Sequence, residues 1–69
     1  MARFTYEIQA KYRFAETEWQ RAGLWHGMQR GYANGAFRML KSLFRHLPDI
    51  LAIRLVRSDN EVVDDFTRG

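Results

Sequence analysis

The sequence predicts an α+β domain: a mostly antiparallel sheet of three to four strands with one amphipathic helix on one face, in the order β-β-α-β-β. Three observations carry that expectation. Residues 4–14 alternate, with Phe4, Tyr6, Ile8, Ala10, Tyr12 and Phe14 on one face and Thr5, Glu7, Gln9, Lys11 and Arg13 on the other, the period-two pattern of a half-buried strand. From Asn34 onward, Ala36, Phe37, Met39, Leu40, Leu43, Phe44 and Leu47 share one broad helical face opposite Arg38, Lys41, Ser42 and Arg45. Residues 50–56 are nearly continuous in aliphatics, interrupted only by Arg54, as suits a central strand contacted on both faces.

After the first strand, residues 15–25 fit two readings. Glu16–Arg21 makes a second strand paired back through a tight turn near Phe14–Glu16, or Thr17 and Gln20 form the capping box of a helix. The strand is preferred, because a helix from Thr17 would run into Gly23, Gly27 and Gly31, each costing about 1 kcal/mol relative to alanine. Gly23, Gly27, Gly31 and Gly35 recur every four residues. On a helix they would form a bare stripe; the polar residues between them favour a flexible connection in which glycine supplies positive φ. Trp25, Met28 and Tyr32 are then expected to be partly exposed on a mobile segment. Asn34 is the expected N-cap of the helix and Pro48 its stop. Ser58-Asp59-Asn60 reads as a turn, and Val62, Val63 and Phe66 as a short edge strand that Asp64 and Asp65 guard against aggregation, with Phe66 tucked into the end of the core. Residues 67–69 are expected to fray.

Sixty-nine residues form one domain, residues 1–69. So short a chain buries only about 60% of its unfolded surface. With no cysteine, neither a disulfide nor a thiolate metal site reinforces it. The core must come from ten aromatics and the aliphatics, or be completed by a partner surface, for which a homodimer is one candidate. No apolar run approaches the roughly 18 residues of a membrane span, and residues 1–15 lack the apolar stretch of a signal peptide. The expectation is a cytoplasmic protein without membrane contact.

The net charge of +3 is unevenly placed. Residues 19–57 carry Arg21, Arg30, Arg38, Lys41, Arg45, Arg54 and Arg57 against Asp49 alone, whereas residues 58–69 carry Asp59, Glu61, Asp64 and Asp65 against Arg68. The result is a basic body with an acidic final segment. Arginine outnumbers lysine nine to two, and its planar fork suits carboxylate and phosphate; a GC-rich genome produces the same bias.

Little in the chain points to catalysis, so no catalytic residue, metal site or cofactor is expected and the protein reads as a non-enzyme. His46 sits where a helix C-terminus welcomes a cation, and His26 has no acid at a telling spacing. Several metal ligands would have to converge, and no such spacing exists. Glu16 with Glu18, and Asp64 with Asp65, are carboxylate pairs best read as solvated edges. The glycines match neither a P-loop nor a dinucleotide-binding loop.

Two surfaces remain as candidates. Arg38, Lys41 and Arg45 form a basic ridge that could lie along phosphates, extended by Arg30, Arg54 and Arg57, although Arg54 and Arg57 alternate to opposite strand faces and at least one should be structural. Aromatics beside basic residues raise base stacking as a rival, but the helix needs the first strand's aromatic face as core. Trp19 and Trp25 stand outside any clean periodicity, and Trp19 beside Arg21 has the composition of an interface hot spot. The expected partner-binding set is therefore Trp19, Arg21, Trp25, Arg30, Arg38, Lys41 and Arg45. The expected function is inhibition or modulation of a protein partner by surface occlusion, with direct nucleic-acid binding through the basic helix face as the alternative.

In length, lack of cysteine and element order, the whole chain resembles small accessory proteins of phages and prophages, among them the anti-CRISPR inhibitors. That resemblance carries no motif and transfers no functional residue. It implies a small α+β domain acting by occlusion on a nucleic-acid-handling complex; a subunit of a larger assembly would share these features.

Overall fold

The structure, a computed structural model, describes residues 4–23 and 25–67. Four strands, β1 (Tyr6–Tyr12), β2 (Ala15–Arg21), β3 (Ile50–Arg57) and β4 (Val62–Thr67), form one antiparallel sheet in the order β2-β1-β3-β4. One helix, α1 (Arg30–Leu43), tightens into a 3-10 turn at Phe44–His46 and joins the two hairpins. The α+β class and the β-β-α-β-β order are as the sequence predicts.

Alternation along β1 sets the two faces. Tyr6, Ile8 and Ala10 are buried under α1, with Ile8 opposite Leu55 and Ala10 opposite Ile53 on β3. Fully burying Ile8, Ile53 or Leu55 is worth about 1.5–3 kcal/mol each. Gln9 and Lys11, with Arg54 on β3, occupy the open face. The strand is shorter than its alternating pattern because the chain reverses at Arg13 and Phe14, pairing Tyr12 with Ala15. That turn is fastened by the Arg13 N–H donating to the Asp49 carbonyl at 2.7 Å and by its guanidinium donating to the Pro48 carbonyl at 2.9 Å. Phe14 consequently leaves the core: it is 78% exposed and stacked on Tyr12. Phe4 is exposed as well, with the Arg57 guanidinium 4.3 Å from its ring centre.

The largest correction concerns the glycine-rich stretch. Ala22, Trp25 and Met28 continue the sheet edge that β2 begins. Ala22 N–H donates to the Ile8 carbonyl, Ile8 N–H donates to the Trp25 carbonyl, and Tyr6 and Met28 exchange both backbone hydrogen bonds. Ile8 and Tyr6 are two residues apart but their partners Trp25 and Met28 are three, so the chain bows between them, and Gly23 (φ 60°) and Gly27 (φ 63°) supply left-handed conformations beside these anchors. Met28, expected to be partly exposed, is only 7% exposed.

Gly31 and Gly35, by contrast, lie inside α1, which starts four residues before Asn34. Gln29, in extended geometry and with no side-chain cap bond, stands at the N-cap. The helix begins here because the Met28 bridge delivers the chain to the sheet edge. Burial of Ala33, Ala36, Phe37, Leu40 and Phe44 at helical spacing then outweighs the helix penalty of two glycines, about 1 kcal/mol each. At the other end the regular helix stops at Leu43, before Pro48 is reached. Met39 and Leu43, predicted to be core, are each 44% exposed, because the predicted apolar arc is wider than the sheet beneath it.

β3 is central and β4 forms the edge. Phe66 packs edge-on against Phe44 at 5.0 Å, and Asp64 and Asp65 fall on opposite faces, opposite Leu55 and Arg54. The β3–β4 turn places Asn60 at φ 70°. Arg57 grips it by donating to both Asp59 carboxylate oxygens (3.0 and 2.8 Å) and to Glu61, which holds the Asp59 carboxyl below its usual range. Arg54 and Arg57 thus take opposite faces as expected, with Arg57 structural. Of the expected frayed end, Thr67 completes β4, and residues 68 and 69 lie outside the described residues.

The glycines separate into two kinds that substitution should tell apart. Added methyls at Gly27 and Gly35 would meet nothing within 4 Å, so only backbone conformation distinguishes them. Gly35→Ala should raise stability by about 0.5–1 kcal/mol in urea unfolding, whereas Gly27→Ala should lower it by about 1 kcal/mol.

Candidate functional site

Alternation along β2 places Trp19 and Arg21 on the open face, the side of the sheet away from α1. The Trp19 ring lies between strands, with the Arg54 guanidinium 4.3 Å and the Lys11 ammonium 4.7 Å from its centre. Arg54 Nε donates to Gln9 Oε1 at 2.8 Å, Gln9 Nε2 donates to Glu7 Oε2 at 2.8 Å, and the Arg21 guanidinium stands 4.0 Å from Glu7. This chain of contacts shields Ala52 and Val56, whose cross-strand partners are Lys11 and Glu7. Trp19 is therefore occupied by the sheet's own cations.

The helix side carries a different arrangement. Arg30, Arg38, Lys41 and Arg45 follow one another at helical spacings of eight, three and four, so they form a row along roughly 22 Å of the α1–3-10 axis. All four are exposed, and none takes part in an ion pair among the described residues. Residues 30–46 contain no aspartate or glutamate. The row is modulated at its middle: the Lys41 ammonium lies 5.7 Å from the Phe66 ring centre and 5.9 Å from that of Phe37, and Asp64 of β4 lines a shallow groove with Arg38 and Lys41.

Around the helix from that row, across Gly35, lies an apolar surface. Tyr32 (65% exposed), Met39 and Leu43 face solvent. Trp25, half-buried against the core, tilts toward Tyr32 with ring centres 6.4 Å apart. Trp25, Tyr32, Gly35, Ala36 and Met39 line an open hollow of about 280 Å³. On its other side Trp25 walls a second hollow of about 210 Å³ with Ala22, Gly23, Leu40, Leu47 and Ile50. One tryptophan thus divides two apolar depressions where the helix leaves the sheet incompletely covered.

The residues singled out in the sequence do not form one surface. Trp19 and Arg21 lie across the sheet from Trp25 and the helical cations. Tyr32, Met39, Leu43 and Gly35 were missed as site residues. The signal for Met39 and Leu43 was the breadth of the apolar arc, and Tyr32 was hidden by assigning its segment to a connection. Among the described residues, no three His, Asp or Glu side chains gather where a metal could be held, and no helix is long and apolar enough to cross a membrane. Comparison with known protein families, curated proteins and solved structures finds no match to this chain.

The open-face network should behave as structure. Arg54→Ala removes a hydrogen bond and a cation–π contact together and should cost about 1–2 kcal/mol in urea unfolding. Arg54→Lys should recover only part of it, because an ammonium cannot both stack on Trp19 and hold Gln9 with a planar fork.

Proposed function

We propose that this protein is a non-catalytic binding module that docks on a protein partner through the exposed side of α1 and modulates that partner by covering its surface. The observation that carries this reading is the exposed apolar side chains of Tyr32, Met39 and Leu43, of which Tyr32 and Met39 line a hollow that shares its Trp25 wall with a second hollow. Large apolar side chains gathered at open depressions mark interaction sites on small proteins. Each hollow is below the roughly 300–1,000 Å³ of a small-molecule pocket and open to solvent, which suits an inserted side chain better than an enclosed ligand. Aromatic anchors beside arginine have the composition of protein–protein hot spots. Both histidines are exposed, and His46 accepts from Arg45 Nε at 3.4 Å, an arrangement of a surface rather than of a poised base. The resemblance to phage accessory proteins makes a nucleic-acid-handling complex the favoured target.

A test is affinity capture with the tagged protein, comparing wild type with Met39→Glu. The substituted side chain is already solvent-facing, so the variant should unfold within about 0.5 kcal/mol of wild type. A stoichiometric partner retained by wild type and lost by Met39→Glu is the expected result; equal recovery by both would remove α1 as the docking surface.

A second reading, direct binding of nucleic acid, is favoured by the acid-free row of Arg30, Arg38, Lys41 and Arg45. Fluorescence anisotropy with duplex DNA, single-stranded DNA and RNA at two salt concentrations addresses it. If phosphate is the ligand, binding should weaken steeply with salt, and changing Arg38, Lys41 and Arg45 to alanine should abolish it and flatten the slope. Binding that is absent at low salt, or unchanged in the triple variant, would exclude this row as a phosphate reader.

A further inference from the structure

We infer that the segment recognised by this protein is an acidic amphipathic helix, whose apolar stripe seats in the Trp25–Tyr32–Met39 hollow and whose carboxylates meet Arg38 and Arg45. The inference rests on the protein-binding reading and specifies the partner's chemistry. Its basis is the pairing of two features on one exposed arc of α1. Tyr32, Met39 and Leu43 supply a stripe for apolar anchors, and Arg30, Arg38, Lys41 and Arg45 supply a cation row beyond Gly35 that makes no ion pair among the described residues, with Asp64 beside its middle. At roughly 100° per residue, Arg38 and Met39 stand about a quarter-turn apart. A second helix is about 10 Å across with its side chains, so one laid over Gly35 reaches Met39 on one side and Arg38 on the other.

Gly35 lies between those rows, and a methyl built on it meets nothing within 4 Å. Its backbone is therefore open to close approach from outside. Anchors spaced at three and four residues are the usual way a helix fills such a groove. Carboxylates on the same helix would supply the negative charge that residues 30–46 lack.

Charge also argues against the other occupants. Pairing α1 with its counterpart in a second copy would set one acid-free cation row near another. A nucleic acid would satisfy the cations and leave Tyr32, Met39 and the hollow without a counterpart.

The experiment titrates the full chain with synthetic peptides of about 18 residues, long enough to form helix on the surface. One carries leucines at helical spacing flanked by glutamates. A second has lysine in place of every glutamate, and a third has the acidic composition in scrambled order. Tryptophan fluorescence and amide shifts at Gly35 and Met39 report binding. The acidic amphipathic peptide should bind about tenfold or more tighter than either control and lose that advantage in Met39→Glu. Arg38→Glu combined with Arg45→Glu should reverse the preference toward the lysine peptide.

Equal binding of all three peptides, or of none, overturns the inference. So does a dimer in sedimentation that dissociates on Met39→Glu, which assigns the groove to a second copy, and so does displacement of the acidic peptide by single-stranded DNA that binds wild type and Met39→Glu alike. If the peptides fail while affinity capture still depends on Met39, the acidic helix is wrong and the protein-binding reading stands; if both fail, both fall.

Discussion

The return of the chain to Tyr6 at Met28 is the constraint on which the rest of the structure depends. β1 has two edges. One is held throughout by β3, and the other is shared between β2 and the bowed segment that follows it. Because Met28 is fixed by a reciprocal pair of backbone hydrogen bonds, the chain leaves the sheet at one place and in one direction. Gln29 has then only to remain extended for α1 to start over the buried face. The rotation of the helix follows from Ala33, Ala36 and Phe37 reaching the core, and that rotation leaves Tyr32 and Met39 on one flank and the cations on the other. The candidate surface is thus a by-product of backbone pairing at Met28, completed before α1 begins.

This explains what could and could not be read in the sequence. The strands were legible because alternation is a local property and each strand has one wet face or one edge. β1, β2 and β4 differ from expectation only at their ends, and β3 was recognised as central from its aliphatic run. The span 22–35 was misread because its glycines do two unrelated jobs. Gly23 and Gly27 meet a need for positive φ, while Gly31 and Gly35 sit in ordinary helical conformation against their own propensity. A repeat of four invites a single explanation, and only the tertiary burial of Ala33 and Ala36 separates the two pairs. The basic ridge was legible from spacing alone. The hollow beside Trp25 was not, because it exists only where helix, bow and sheet fail to meet.

The two faces of the sheet solve the same problem differently. Under α1, burial is apolar and tight. On the open face, long polar side chains lie flat, with Arg54 and Lys11 over Trp19 and Gln9 linking Arg54 to Glu7, so that small residues such as Ala52 are covered without a second helix. Among the described residues no second layer covers this face, and a lid of stems and one indole takes its place. It also holds Trp19 in the molecule's own contacts, while Arg21 stays largely exposed beside Glu7.

The order of strands has a consequence for how the protein comes into being. β1–β2 and β3–β4 are hairpins of neighbouring sequence, but the seam between β1 and β3 joins residues separated by the bow, α1 and its 3-10 turn. Closing that seam costs the entropy of a long loop, while each hairpin closes a short one. Ile8 cannot meet Leu55 until β3 pairs, so the first hairpin and the helix shelter only part of their shared apolar face before that seam closes. Closure of that seam follows closure of either hairpin, and the chain is most open to misassociation in the interval between them.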